Sequence, residues 1–147
     1  MARHRIAARA ALALLALTLP AAASAGPAEQ AQDGFVRQRV AWNRGDIEGA
    51  LDFYWNSPEA TWVSKAGVNR GFSGFARAMR DEYAGRPEQM GVYSGDILLA
   101  KEISPETGLL VVRWSIDRDG RQIMGGVSTQ LWEDVDGIWR IVFEHAS

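Results

Sequence analysis

Glu144 and His145 stand near the end of the sequence, in the closing run GIWRIVFEHAS at 137–147. An imidazole titrates close to neutral pH, so His145 is the first candidate for a general acid or base. Its plainer role is that of a terminal histidine hydrogen-bonded to backbone at a sheet edge. Tyr83 is a second catalytic candidate, as a hydroxyl donor to a ligand oxygen, with core packing as its alternative. Six tryptophans are many for a chain of 147 residues, and Trp62, Trp114 and Trp139 together could wall a hydrophobic ligand site. Phe143, Gln130 and Ser128 complete the candidate lining. Arg70 and Arg113 could grip a carboxylate through two parallel hydrogen bonds, although strand arginines are more often solvated. Asp46 is better explained as a helix cap than as a catalyst.

Other chemistries are poorly provided for. The sequence holds no cysteine, which removes thiol catalysis and cysteine-zinc sites. It shows no phosphate loop, dinucleotide fingerprint, nucleophile elbow or metal-ligand spacing, so neither a cofactor nor a metal is expected.

The opening MARHRIAARAALALLALTLPAAASA has the form of a secretory signal. Arg3, Arg5 and Arg9 form a basic start, Ala10 to Leu19 an apolar run too short to span a bilayer, and Ala23-Ser24-Ala25 a small-residue cleavage site. The expected division is a signal peptide over 1–25 and a single domain over 26–147, periplasmic or secreted. Removing three of the sixteen basic residues and no acid leaves thirteen against eighteen, a net charge of −5. A mildly acidic domain without a basic run is a poor partner for nucleic acid or anionic membrane. No membrane span is expected.

These side chains need elements to position them. Phe35, Val36, Val40 and Trp42 give a helical spacing over Gln30–Arg44, Gly45 suits the position after its end, and Asp46 suits the N-cap of the next helix. Ile47, Ala50, Leu51 and Tyr54 fall on one helical face, and Pro58 is expected to end that helix. TWVS and VNRGF read as a small hairpin, and a third helix begins at Ser73 with Phe75, Ala78, Met79 and Tyr83 inward. Strands are expected over 90–103, 109–118, 121–133 and 138–146. Asp119-Gly120 and Asp136-Gly137 supply tight turns. Gly95, Gly125 and Gly126 lie where long strands would bend. The expected fold is α+β: a strongly curved antiparallel sheet whose hollow is covered by three helices from the first half of the chain.

Side chains alternate along a strand. Leu110, Val112, Trp114 and Ile116 therefore share one face. On the last strand Trp139, Ile141, Phe143 and His145 share a face, and Arg140, Val142 and Glu144 share the other. The first set is bulkier and more apolar, which sends it toward the hollow, with His145 at the end of the stripe and Glu144 pointing away. Adjacent residues cannot both enter one cavity without a bulge, so the pair is no ready dyad.

The fragments AWNRGDIEGALDFYW, ATWVS and GIWRIVFEHAS, in this order of elements, resemble the nuclear transport factor 2-like superfamily, which includes SnoaL-like proteins and ketosteroid isomerase. They are most similar to its branch related to the kinase association domain, in which a helix reading A-W-N-x-G-D precedes a short strand and an acid-His-x-Ser tail follows Trp-x-Ile. The resemblance spans residues 30–147 and implies a cone with an internal cavity and a homodimer formed through the sheet. It implies no particular reaction, because the carboxylate, Asp-Arg-Asp and His-Tyr arrangements of the enzymatic relatives find no matching positions. The leading expectation is an exported protein that binds a small, apolar or amphipathic molecule. Two alternatives are an isomerase, cyclase or hydrolase using His145, and a dimeric interaction module.

Overall fold

A computed structural model describes residues 24–147, so all but the last two residues of the expected signal lie outside the described residues. Three helices, α1 (Pro27–Asn43), α2 (Ile47–Leu51) and α3 (Phe72–Tyr83), accompany six strands. These are β1 (Thr61–Ser64), β2 (Gly67–Arg70), β3 (Val92–Ser104), β4 (Thr107–Arg118), β5 (Arg121–Val135) and β6 (Ile138–Ala146). The strands form one open sheet in the order β2-β1-β6-β5-β4-β3. Contrary to a wholly antiparallel expectation, the sheet is mixed: β1 runs parallel to β6.

The turn chemistry follows the residues. Asp119-Gly120 and Asp136-Gly137 all take positive φ, the requirement of a tight type I′ hairpin. The A-W-N-x-G-D segment is a fastening. Asn43 accepts from the Tyr93 amide at 2.7 Å and donates to the Tyr93 carbonyl at 2.9 Å, while the Trp42 indole donates to the Met90 carbonyl at 3.2 Å. Gly45 turns at φ 74°, and the Asp46 carboxylate then caps α2 by accepting from the Gly49 amide at 2.8 Å.

One core cluster packs Ala31 and Phe35 of α1 onto Leu110, Val112, Trp132 and Ile141 of the sheet. A second joins Ile47 and Leu51 of α2 to Ala76 and Tyr83 of α3 and to Met90. The glycines contribute by absence of bulk as much as by bending. A Cβ on Gly95 would stand 2.8 Å from the Phe35 ring, and one on Gly34 would overlap the Trp132 ring, so both let α1 settle onto the sheet. The register shifts fall elsewhere, at Ile97/Leu99, Glu102/Ser104, Ile116/Asp117 and Leu131/Trp132.

The last of these shifts matters most. Leu131 faces Phe143 and Trp132 faces Ile141, so Val142 is a surplus residue in β6. The cause is a change of neighbour. Ile141 donates to the Phe53 carbonyl at 2.8 Å and accepts from the Trp55 amide at 2.9 Å. From Phe143 onward the same edge is occupied by β1. That bridge also ends α2 early, at Leu51 and well short of the expected stop at Pro58, and draws Tyr54 against the sheet.

Candidate functional site

Between helices and sheet lies a cavity of about 540 Å³, within the size range of small-molecule sites. Its floor comes from β5 and β6, which place Ser128, Gln130 and Glu144 on the concave face. One wall holds Tyr54, Trp62 and Phe75, with Tyr54 stacked on Trp62 at 6.2 Å and Phe75 edge-on to both. The other holds Trp42, Tyr83, Tyr93 and Trp114, with Trp42 edge-on to Tyr83 at 5.1 Å and Tyr93 stacked on Trp114 at 6.2 Å. These walls stand apart because β1 and β4 are separated by β6 and β5. Lys65 and Ala66, in the β1–β2 turn, edge the opening.

The surplus Val142 reverses the expected parity of the tail. Glu144 is buried and faces the cavity, whereas His145 is exposed on the outer face, in register with Thr129 and Val63. The expectation that turned His145 inward and Glu144 outward is thus corrected. Phe143 is likewise outside the cavity, in register with Leu131 and Thr61. Trp139 packs on the core cluster that contains Trp132 and does not line the cavity. Trp62, Tyr83, Trp114, Ser128 and Gln130 all line it.

The buried floor is polar and ordered. The Trp132 indole donates to Gln130 Oε1 at 3.0 Å, which fixes the amide so that Gln130 Nε2 donates to Glu144 Oε1 at 3.0 Å. Tyr54 Oη donates to Glu144 Oε2 at 2.6 Å, a length typical of a charge-assisted bond. Each carboxylate oxygen therefore receives one donor and retains capacity to accept another. Burial first, then the adjacent Glu144, pushes the Tyr54 phenol well above its ordinary value. The same two causes raise Tyr93. Burial and the neighbouring Glu82 push Tyr83 up to about 12. All three tyrosines are hydroxyl donors at neutral pH. Arg39 also lines the cavity, but its guanidinium is held by the Gly95 carbonyl at 3.0 Å. Among the described residues the indole N–H groups of Trp62 and Trp114 are buried without an acceptor. Among the described residues no His/Cys/Asp/Glu group could hold a metal ion.

No protein-family model and no curated protein matches the sequence. Solved structures do. An NTF-2 like protein of unknown function from Shewanella oneidensis superposes with a TM-score of 0.77 at 27% identity, covering 82% of this chain and 98% of that one. This chain has the nuclear transport factor 2-like fold. A nuclear transport factor 2-like superfamily protein from Salmonella enterica gives a TM-score of 0.61 at 18% identity, covering 82% of this chain and 89% of that one. A putative calcium/calmodulin-dependent protein kinase type II association domain from Thiobacillus denitrificans gives 0.63 at 14%, covering 79% and 92%. Of the side chains singled out in the sequence, Trp62, Tyr83, Trp114, Ser128 and Gln130 border this nuclear transport factor 2-like cone, and the Glu144–Tyr54 pair was missed. Tyr54 was legible as an inward residue of the second helical stripe. Glu144 was not, because a bulge caused by a change of strand partner leaves no local signature.

Proposed function

We propose that this protein binds a small, mostly apolar molecule in its cone, with one polar group of the ligand directed at Glu144. The observation that carries the reading is an open cavity of about 540 Å³, walled by seven aromatic side chains, with one hydrogen-bonded carboxylate in its floor. Aromatic walls supply contact area, and a few fixed polar groups supply orientation. The outward position of His145 gives no support to an acid–base role for it inside the cone.

Export belongs to the same proposal. The small-residue cleavage site ends directly before the Gly26 cap and the Pro27 start of α1, so cleavage after Ala25 would release the folded domain whole. Native mass spectrometry of protein recovered from the periplasm or medium tests both parts. We expect a mass corresponding to Gly26–Ser147 together with a small adduct, and replacement of Ser128 by Leu should expel the adduct. A bare polypeptide mass, together with tryptophan emission that no candidate small molecule alters, would refute ligand binding. Recovery of an unprocessed chain would refute export.

A further inference from the structure

We propose that the ligand held in the cone is a protonated amine on an apolar skeleton, its ammonium group anchored by Glu144. This rests on the cone-binding reading above. Glu144 is 6% exposed, yet its hydrogen-bond partners are the neutral groups of Tyr54 and Gln130. Among the described residues the ion pairs are Arg37–Asp33 and Arg80–Glu48, both on the surface and neither near the floor. A buried carboxylate without a cation is an expensive group to maintain, and a ligand that brings the cation offsets part of that penalty.

The surroundings favour a cation on two further counts. Trp62 lies beside Glu144 in the β1–β6 register, and Tyr54, whose hydroxyl holds Glu144, stacks against Trp62, so aromatic side chains border the carboxylate. Aromatic faces attract ammonium groups, tryptophan most strongly. Ser128, buried on β5 and lining the same cavity, offers another acceptor. The cationic side chains of the lining are placed otherwise: Arg39 is engaged by the Gly95 carbonyl, and Lys65 is exposed in the β1–β2 turn. An anionic ligand would have to approach Glu144 against its charge.

Calorimetric titration of the purified protein with 4-phenylbutylamine, 4-phenylbutanol and 4-phenylbutyrate separates charge from shape. The amine should bind at least about tenfold more tightly than the alcohol, as expected for a charge-assisted contact beside aromatic faces, and the carboxylate should bind most weakly. In Glu144→Gln the amine and alcohol should converge to within about threefold. The exchange leaves the floor satisfiable, because the introduced amide would accept from Gln130 and donate to the Tyr54 oxygen. If the melting curve shows that this variant is not folded, Glu144→Met makes the same comparison. Equal affinity of amine and alcohol in the parent protein overturns the amine assignment and leaves cone binding intact. So does tightest binding by the carboxylate, or an amine preference that survives loss of the Glu144 charge. No binding by any probe at millimolar concentration overturns both readings.

Discussion

Removing a single oxygen tests whether the floor of the cavity is a unit. Tyr54→Phe deletes the hydroxyl that donates to Glu144 Oε2 at 2.6 Å and leaves the ring in place between Trp62 and Phe75. Hydrogen bonds to charged groups contribute about 1.5–3 kcal/mol, and a buried acceptor stripped of its donor is destabilising on its own account. Water entering from the cavity would restore part of that, which puts the expected loss near about 2 kcal/mol. For a domain of this size the melting temperature should fall by roughly 8 °C. Glu144→Gln alone should shift stability by about 1 kcal/mol or less, because the loss of two charge-assisted bonds is offset by relief of a buried, unpaired charge. The informative quantity is the coupling in the double-mutant cycle, measured by urea unfolding with unchanged slope. We expect it at about 1–2 kcal/mol. A value below about 0.5 kcal/mol, where independent sites fall, would mean that Tyr54 does not hold Glu144 in solution, and the ordered floor would be refuted.

Three further outcomes follow from other parts of the molecule. Gly34→Ala should be destabilised by about 1–3 kcal/mol, because the added methyl group overlaps the fully buried Trp132 ring; an unchanged urea midpoint would show that α1 does not seat as described. Stability should fall as pH rises above 10, through the value of about 12 for Tyr83, since the unfolded tyrosine releases its proton first and the folded phenol is held neutral. Tyr54 and Tyr93 are shifted in the same direction, so tyrosinate absorbance should appear together with unfolding; its appearance in the native protein near pH 10 would contradict the burial. A homodimer formed through the outer sheet face, where Leu99 and Val127 are exposed, should give twice the monomer mass in light scattering at micromolar concentration. A monomer there would remove that expectation.

What could be read from the sequence was local. Helical spacing located α1 and α3, the two Asp-Gly pairs located the turns of the last three strands, and alternation gave the inward face of β4. On β5, where Gly125 and Gly126 left the parity open, Ser128, Gln130 and Trp132 prove to be buried. Errors arose where one strand meets a distant segment. The length of α2 and the phase of β6 both depend on the pairing of residues 53–55 with Ile141, a contact between parts of the chain so far apart in sequence that no window of neighbouring residues encodes it. Glycine was also misleading as a marker of bends. Gly95 is required by the approach of Phe35, while the nearest irregularity in β3 falls between Ile97 and Leu99.

Because Val142 is one residue more than the ladder needs, the character of the cone interior is set by counting as much as by composition. The same tail paired with β5 in an unbroken ladder beyond Ile141 would keep the same acid and the same imidazole in the same order, yet turn the imidazole toward the guest and the acid toward water. Two proteins sharing this fold and this closing tetrapeptide can therefore present opposite chemistry to their ligands.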